Sequence, residues 1–286
     1  MKLAFIAILC CCTTLLYAQH SIEGTTTDAS EKTILPYVNI GIANTNIGTI
    51  SNSDGRFTLK LPDNQDKHAM VTFSYIGYAT QQYPVSFLLN KQNAIILQPS
   101  AESLEEVVIN LKKPKARKLG RTSKGLGLMH INFYTSREAG VDDRLSKEMG
   151  MKFNINRDCK VNDLNFNITS NEFESVKFRI NFYSVKDGMP DKLLIDENII
   201  CEIKNTYLGW FTADLKPYNI YLTKETGEVA VTIQWLESKK STTDSKFFAL
   251  SVAKAPFSTY YYREKAMDKW TNGSNSLSFY LDILSE

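Results

Sequence analysis

Histidine is scarce in this chain, which restricts the catalytic chemistry that the protein can carry. Among 286 residues there are three histidines, His20, His68 and His130, and only His20 has a glutamate, Glu23, at the His-x-x-Glu spacing of a zinc peptidase motif. One such pair does not make a zinc site, which needs a third ligand from elsewhere in the chain. The sequence has no Gly-x-Ser-x-Gly elbow for a nucleophile. The GLG at 125–127 lacks the third glycine of a nucleotide-binding loop. We therefore predict that the protein is not an enzyme and holds no metal or cofactor.

Acidic residues leave one enzymatic alternative open. Asp142 and Asp143 are adjacent in sequence, as are Glu105 and Glu106, so in a strand the two carboxylates of each pair would point to opposite faces. That arrangement favours solubility over acid–base catalysis. Carboxylates distant in sequence could still converge in a cleft, so a glycoside hydrolase remains an alternative.

Apolar residues form no run of the length that a transmembrane helix requires. The first 18 residues carry one cation, Lys2, before a short apolar core that ends at Ala18. This pattern predicts a secretory signal peptide over residues 1–18 and no transmembrane span in the mature chain. Cys10 makes a lipid anchor the alternative, but Leu9 stands where a lipobox requires a small side chain. We expect an exported protein, in the periplasm or associated with the outer membrane.

Cysteine is nearly absent after the signal peptide, where only Cys159 and Cys201 remain. A disulfide between them would persist in an exported protein, but the sequence does not require one. Cys201 alternates with Ile199 and Ile203 and is expected to point into a core. The polar stretch around Cys159 predicts a turn. Whether the two cysteines pair is left open.

Acidic residues are missing from 112–124, where seven cations and one proline stand together. Such a stretch cannot bury enough apolar surface to fold by itself. We predict a basic linker over 111–128 between two independently folding domains, 19–110 and 129–286. Basic tracts can contact anionic membranes, lipopolysaccharide or nucleic acid. Because the chain has no nucleic-acid motif, we expect a solvated linker and no nucleic-acid partner.

Helical patterns are also missing from the first domain, and short alternating runs take their place. Between residues 21 and 109 these runs predict a β-sandwich of about seven strands. In GTISNSDGRFTLKLP, residues 48–62, Asp54-Gly55 predicts a tight turn before an alternating strand. An EF-hand calcium loop is excluded by its spacing, because Ile50 and Leu61 occupy positions that require acidic ligands.

Alternation is stronger in the second domain. Three runs place apolar side chains on one face, namely Val176, Phe178, Ile180 and Phe182; Val229, Val231, Ile233 and Trp235; and Leu277, Phe279, Leu281 and Ile283. With the weaker runs they give eight or nine strands. This number predicts a jelly-roll-like β-sandwich, and hence an all-β protein.

The first domain also matches a known module, residue by residue and in order. The matching positions are Leu35-Pro36, Val38-Asn39, Gly48-Thr49, Asp54-Gly55, Phe57, Ser74-Tyr75, Ile76-Gly77-Tyr78 and Leu104 to Ile109. On these positions it resembles the carboxypeptidase-regulatory-like (CarboxypepD_reg-like) domain of exported bacterial proteins. The resemblance implies a non-catalytic, prealbumin-like sandwich of seven strands, a module that often precedes TonB-dependent outer-membrane transporters. Residues 125–286 are too few for the membrane domain of such a transporter, so we expect another function.

Aromatic residues indicate a binding site in the second domain. Tyr260, Tyr261 and Tyr262 are consecutive, so in a strand at least one ring must face outward, and Trp270 follows in a loop-like segment. Exposed rings can stack on sugars, although packing in a core or at a sheet edge is the simpler explanation. We predict a non-catalytic envelope protein that binds a glycan or another envelope protein through this domain, the first domain being a docking or spacing module. An accessory role in an outer-membrane nutrient-uptake complex is the alternative.

Overall fold

The computed structural model describes residues 20–100, 113–124, 129–134 and 144–286. The predicted signal peptide at 1–18 lies outside the described residues, as do the match at Leu104 to Ile109 and the paired carboxylates at 105–106 and 142–143. Within the described ranges nearly all regular structure is β-strand, arranged in four sheets. The predicted all-β class is therefore confirmed.

Two of these sheets form the N-terminal sandwich. Its strands are β1 (Ser21–Asp28), β2 (Asn39–Ile42), β3 (Gly48–Ile50), β4 (Arg56–Lys60), β5 (Met70–Ser74), β6 (Gln81–Pro84) and β7 (Gln92–Leu97), with one helical turn, α1 (Val85–Leu88). One sheet has the order β4-β1-β7 and the other β3-β2-β5-β6. Seven strands in the described part of this domain confirm the predicted sandwich. No helix in the described ranges has the length and apolar character needed to cross a membrane.

The turn before β4 takes the predicted form. Gly55 has a φ of +70°. The Asn52 Oδ1 atom accepts hydrogen bonds from the backbone N–H groups of Asp54 at 3.0 Å and Arg56 at 2.8 Å. A Cβ atom on Gly55 would lie 2.7 Å from Cγ2 of Ile34, so both conformation and space require glycine here. After the turn, β4 alternates between exposed and buried side chains, as the sequence predicts.

The other two sheets form the C-terminal sandwich. Its strands are β8 (Lys115–Gly120), β9 (His130–Asn132), β10 (Glu148–Asn154), β11 (Cys159–Asn171), β12 (Phe173–Lys186), β13 (Met189–Leu193), β14 (Ile199–Lys204), β15 (Gly209–Asp214), β16 (Tyr221–Leu222), β17 (Glu228–Lys240), β18 (Phe248–Lys254), β19 (Tyr260–Arg263), β20 (Thr271–Gly273), β21 (Asn275–Leu277) and β22 (Phe279–Ser285), with 3-10 turns at Lys216–Tyr218 and Lys224–Thr226. The described residues hold more strands than the eight or nine predicted. Several edge strands are two or three residues long, which is too short for alternation to show in the sequence.

The strands of the C-terminal sandwich are shared between two sheets. Sheet A has the order β13-β12-β17-β10-β19-β20, with β14 also paired to β12. Sheet B has the order β21-β18-β11-β22-β8, with β15 and β16 also paired to β11 and β9 paired to β18. This layered arrangement agrees with the predicted sandwich.

An aromatic core fills the space between sheets A and B. All the inner-face residues that the three alternating runs predict are buried, so the predicted periodicity is confirmed. Trp235 lies in this core with no exposed surface, and its ring centroid is 5.3 Å from those of Phe173 and Phe178 and 5.6 Å from that of Phe248. Burial of several large rings in one place is the main source of stability for such a sandwich.

The predicted basic linker is corrected over its middle part. β8 pairs antiparallel with β22, from Lys115 opposite Ser285 to Gly120 opposite Tyr280. An existing sheet edge supplies the hydrogen bonds, and Leu119 packs against the core, so this stretch needs no core of its own. Its cations remain exposed. The division into domains at 19–110 and 129–286 otherwise remains a prediction.

Both cysteines of the described ranges are free thiols. Cys159 begins β11 and is buried, which corrects the predicted turn, because the bend in this stretch lies at Arg157, before the strand begins. Cys201 in β14 is half-buried against the core. Burial raises the pKa of Cys159 to about 11 and that of Cys201 to about 12. Both thiols are therefore protonated and unreactive at neutral pH.

The two sandwiches are in direct contact, which the expectation of independent domains does not include. Tyr37 and Ile50 of the N-terminal sandwich form a small buried cluster with Leu236 of β17. The Tyr37 hydroxyl donates to Oε2 of Glu237 at 2.7 Å. Leu236 and Glu237 lie on the outer face of sheet A, opposite the aromatic core, and Tyr37 and Ile50 pack against that face. The N-terminal sandwich therefore covers part of a sheet face that would otherwise meet water.

Candidate functional site

The predicted aromatic site does not form a row of exposed rings. Tyr260, Tyr261 and Tyr262 lie in β19, paired with β10. Tyr260 and Tyr262 stack on each other at 5.7 Å and pack against the aromatic core. Tyr261 points to the outer face of sheet A and is fully buried. Tyr261 thus points away from the aromatic core, as alternation predicts for one of the three rings, but it is covered and not exposed to solvent.

Trp270 explains why Tyr261 is buried. The loop after β19 folds back over the outer face of sheet A, and the Trp270 ring lies edge-on to Tyr183 at 5.5 Å and to Tyr261 at 6.5 Å. The Arg263 guanidinium is 4.5 Å from the same ring, which is a cation–π contact. Trp270 thus covers part of sheet A, and one side of its ring is already occupied by contacts with Tyr183, Tyr261 and Arg263. A ligand-binding role for these four aromatic residues remains a prediction.

A buried carboxylate, Glu148 of β10, lies beneath this cover. Its Oε2 atom accepts two hydrogen bonds from Arg263, at 2.9 and 2.6 Å. Its Oε1 atom accepts hydrogen bonds from Asn181 at 2.7 Å, from Tyr183 at 3.1 Å and from Thr232. Burial and the charge of Glu148 raise the pKa of Tyr183, so the tyrosine stays a donor. The acceptor capacity of Glu148 is filled, so this carboxylate is held in a structural role.

The same buried face continues to the N-terminal sandwich through Arg179 of β12. Its guanidinium donates to Asn198 at 2.7 Å, to Gln234 at 3.2 Å and to the Tyr37 carbonyl at 2.8 Å. The Gln234 amide in turn donates to Asn39 at 2.8 Å. Burial lowers the pKa of Arg179. The N-terminal sandwich thus supplies part of the polar shell that a buried guanidinium needs.

Two glycines allow the sandwiches to approach closely. Gly41 and Gly48 lie opposite each other on β2 and β3. A Cβ atom would lie 2.6 Å from the Ala266 carbonyl oxygen at Gly41 and 2.5 Å from it at Gly48. Nearby, the Asn44 N–H donates to the Met267 carbonyl at 2.8 Å. The outer face of sheet A is therefore an interface within the chain, and its charges are engaged there.

A cleft of about 440 Å³ opens elsewhere, between strands of sheets A and B. The buried side chains of Met151, Phe153 and Phe279 line it on one side, and Ser258 and Ser276 contribute hydroxyl groups. Because these three side chains are almost fully buried, the accessible surface of the cleft is at least as polar as it is apolar. A concave site of this size can hold a small ligand. The cleft is the candidate functional site.

Two cations of the cleft, Arg121 and Lys254, take part in none of the ion pairs found in the described ranges. Arg121 donates to the Ser276 carbonyl at 2.8 Å and to the Ser123 hydroxyl at 3.2 Å. Partial burial lowers the pKa of Arg121, but an arginine remains charged at neutral pH. The third cation, Lys152, is neutralised by a carboxylate 2.6 Å away.

An exposed phenylalanine stands beside the cleft. Phe257 lies in a turn in which the Ser258 N–H donates to the Ala255 carbonyl at 3.0 Å, and both of these residues line the cleft. The Phe257 side chain is 100% exposed. A ring held in water by a tight turn is available to stack on the apolar face of a ligand.

Sequence reasoning does not find these residues, for different reasons. Arg121 falls in the predicted linker, although the same cation-rich run is the signal that could have found it. Lys254 ends an ordinary strand, and its position in the cleft depends on how the two sheets meet. Phe257 follows Pro256 in APFS, and because proline favours turns, an aromatic residue directly after it is a usable signal of an exposed ring.

Comparison with known proteins bears mainly on the N-terminal sandwich. Residues 22–109 match the family model described as CarboxypepD_reg-like domain, which confirms the resemblance for this part of the chain. Two TonB-dependent receptors of Formosa agariphila, P3 and P39, are each 33% identical to it, over 91 and 94 residues. These matches cover 32% and 33% of this chain, but 9% and 8% of the receptors. The chain thus spans less than a tenth of the curated relatives it matches.

Solved structures resemble the whole chain only loosely. The major pilin subunit of Bacillus cereus is 8% identical with a TM-score of 0.18, and the match covers 91% of this chain and 68% of the pilin. A structure of infectious bursal disease virus is 9% identical with a TM-score of 0.25, covering 93% of this chain and 63% of the viral chain. Neither likeness is close enough to bear on fold or function.

Proposed function

We propose that this is a non-catalytic, envelope-associated protein that binds a partner through its C-terminal sandwich. The partner is a glycan or another envelope protein, and the N-terminal sandwich is a docking or spacing module. The match of residues 22–109 and the similarity to two TonB-dependent receptors support an envelope setting. An exported protein, in the periplasm or associated with the outer membrane, fits that setting.

The observation that carries this proposal is the cleft between sheets A and B. It combines the cations Arg121 and Lys254 with the hydroxyl groups of Ser258 and Ser276, and the exposed ring of Phe257, in the turn between Ala255 and Ser258, supplies apolar surface beside it. Sugars present both apolar ring faces and polar groups, so a site with aromatic and charged side chains suits them. Loops at the end of a rigid sandwich commonly carry such recognition.

The buried carboxylate supports binding over hydrolysis. A glycosidase needs two carboxyl groups that face the same substrate. Glu148 is fully buried, and its ion pair with Arg263 at 2.6 Å and its other hydrogen bonds already occupy its oxygens. Glu228, the carboxylate near the cleft, is engaged by Lys152 at 2.6 Å.

Calorimetry of residues 19–286 against a panel of neutral and acidic polysaccharides tests the proposal. Phe257→Ala should weaken binding by about 1 kcal/mol, the worth of one stacked ring. Phe87→Ala is the matched control, because Phe87 is 54% exposed but lies on the N-terminal sandwich. Equal loss in both variants would argue against the cleft, and release of reducing sugar from any substrate would show an enzyme.

The same titration decides between the cleft and the predicted aromatic site. Trp270 is half-buried over sheet A, so Trp270→Phe retains its packing but changes its ring. Binding that is lost in Trp270→Phe and kept in Phe257→Ala would place the ligand on the outer face of sheet A. We expect the reverse.

An accessory role beside an outer-membrane receptor is the second candidate. The observation that favours it is the similarity of the N-terminal sandwich to two TonB-dependent receptors. Cross-linking in intact cells, followed by identification of the bound protein, tests it. An outer-membrane receptor cross-linked through the N-terminal sandwich would support this role, and cross-links confined to the C-terminal sandwich would contradict it.

A further inference from the structure

We propose that the cleft and the adjoining strand β8 together bind an acidic polysaccharide, one that carries carboxylate or sulfate groups along its chain. This inference rests on the proposed function of the cleft and names its ligand class. The two structural elements adjoin each other, since Gly120 ends β8 and both Gly120 and Arg121 line the cleft. One extended ligand can therefore contact both.

The charges of the cleft favour an anion. Arg121 uses two N–H groups for contacts within the described residues, with Ser123 and the Ser276 carbonyl, and a guanidinium has five. The side-chain ammonium of Lys254 takes part in no ion pair or hydrogen bond within the described residues, although its backbone pairs with that of Asn275. A planar guanidinium can bind a carboxylate or sulfate through two parallel hydrogen bonds. The partly desolvated setting of Arg121 makes such a pair stronger than it would be in bulk water.

Strand β8 extends the positive charge away from the cleft. Lys115 and Arg117 are exposed on this edge strand, and neither takes part in an ion pair within the described ranges. Lys118 differs, because it lies 3.8 Å from Asp282 and 4.6 Å from the Tyr280 ring. A strand rises about 3.3 Å per residue, so Lys115 lies about 20 Å from Arg121. This spacing suits a polymer with repeated anionic groups better than a single small anion.

The apolar parts of the site favour a sugar chain over a simple polyanion. Phe257 is fully exposed and lies three residues after Lys254, in the turn between Ala255 and Ser258, both of which line the cleft. A pyranose ring offers an apolar face to such a ring while its carboxylate or sulfate contacts the cations. An inorganic polyphosphate would gain from the cations but would gain nothing from Phe257.

Cations on an edge strand have another use, which the test must separate. Lysines at a sheet edge prevent edge-to-edge aggregation, and β8 is such an edge. If protection is the whole role of Lys115 and Arg117, their loss will promote self-association without changing ligand binding. If they bind the polymer, their loss will weaken the binding of long ligands and leave the binding of short ligands unchanged.

The experiment is calorimetry of residues 19–286 with galacturonic acid monomer, trimer and hexamer, and with the carboxyl-reduced hexamer as the neutral counterpart. We expect affinity to rise with length, to fall as salt screens the charges, and to be at least tenfold lower for the reduced hexamer. A reduced hexamer that binds equally well would overturn the acidic ligand but leave the proposed function standing. Failure of every glycan would overturn the inference and would leave only another envelope protein as the partner in the proposed function.

Variants locate the effect. Arg121→Gln and Lys254→Gln should each lower the affinity for the trimer and for the hexamer about tenfold. Lys115→Gln with Arg117→Gln should weaken the hexamer alone. Lys67→Gln, an exposed cation of the N-terminal sandwich, is the matched control and should have no effect. Equal losses of affinity in all variants, the Lys67 control included, would show that binding depends only on the net charge of the protein. Binding to anionic lipid vesicles without binding to the hexamer would indicate that the ligand is a membrane surface. Either result overturns the inference.

Discussion

Sheet A buries its two faces by different means. Its inner face packs on sheet B with apolar side chains such as Phe178 and Trp235. Its outer face lies beneath the N-terminal sandwich and the loop of Trp270, and there the side chains of Glu148 and Arg179 are as fully buried as the rings on the other side. One sheet thus holds an apolar core and a polar core, back to back.

The two faces differ in how well they tolerate amino-acid substitutions. The inner face gains stability in proportion to the apolar area it buries, and a substitution that conserves shape costs little. The outer face depends on complete pairing, because one missing partner leaves a buried charge uncompensated. The outer face therefore selects which surface the N-terminal sandwich can cover, while the inner face supplies most of the stability.

Trp235→Ala is expected to have the largest effect. The substitution removes the ring that contacts Phe173, Phe178 and Phe248 and leaves a cavity, which costs about 3 to 5 kcal/mol. Urea unfolding followed by tryptophan fluorescence and circular dichroism measures the loss. Trp210→Ala is the matched control, because Trp210 is only half-buried and should cost clearly less. Equal losses would mean that the inner face is not the main source of stability.

Glu148→Ala tests the polar face with an effect of similar size. Arg263 would remain buried without its carboxylate, which costs about 3 to 5 kcal/mol. In Glu148→Ala/Arg263→Ala the loss should be smaller than the sum of the single losses, by roughly 0.5 to 3 kcal/mol. Glu228→Ala, which breaks the more exposed pair with Lys152, should cost less than about 1 kcal/mol. Additive losses would show that the two side chains act separately.

The inner face could be predicted from the sequence, and the outer face could not. Alternation at period two places Val231, Ile233 and Trp235 on one side whatever else the chain does. The residues between them, Thr232 and Gln234, have the polarity of a solvent-facing side. They are buried because a distant part of the chain covers them, and no local pattern carries that information. The candidate cleft escapes prediction in the same way, since it forms only where two sheets meet.

Leu236→Asp tests whether the two sandwiches unfold together. Leu236 is 2% exposed in the cluster with Tyr37 and Ile50, and a carboxylate there should cost about 2 to 4 kcal/mol through lost burial and desolvation. We expect one calorimetric transition for the natural chain and two for Leu236→Asp. Leu208→Asp, at a leucine that is 57% exposed, should keep a single transition. Two transitions in the natural chain would show that the outer face does not couple the sandwiches.

Gly55→Val should destabilise the N-terminal sandwich at the turn before β4, outside the cluster of Tyr37, Ile50 and Leu236. Valine would have to adopt the positive φ of this position, and its Cβ atom would lie 2.7 Å from Cγ2 of Ile34 and 2.8 Å from the Thr26 carbonyl oxygen. The cost is about 1 to 3 kcal/mol. Gly77→Val is the control, because Gly77 has a φ of +78° but no atom within 4 Å of its Cβ position. The difference between the two variants isolates the clash from the strain. If the sandwiches are coupled, Gly55→Val will lower the melting temperature of both.

Asp28→Asn is expected to have the smallest effect, and it contrasts with Glu148 because no cation pairs with Asp28 in the described ranges. Asp28 Oδ2 accepts from the Tyr78 hydroxyl at 2.6 Å, and Oδ1 accepts from the N–H groups of Ser30 and Glu31 at 2.6 and 2.7 Å. These hydrogen bonds hold the pKa of Asp28 below its ordinary value of 3.8. Replacing the carboxylate should therefore lower the melting temperature at neutral pH.

The dependence of this effect on pH identifies its cause. A carboxylate whose pKa is lower in the folded state stabilises the fold above its unfolded pKa, and the contribution is lost as pH falls through the folded pKa. The difference in melting temperature between the natural chain and Asp28→Asn should be full above about pH 5 and should shrink steadily below about pH 4. Asp54→Asn, at an exposed position in the turn before β4, controls for the loss of one negative charge. A difference that stays constant down to low pH would assign the effect to the shape of the side chain and not to its charge. Hydrogen bonds alone would then not stabilise a buried carboxylate in this fold, in contrast to the network around Glu148, which includes the cation of Arg263.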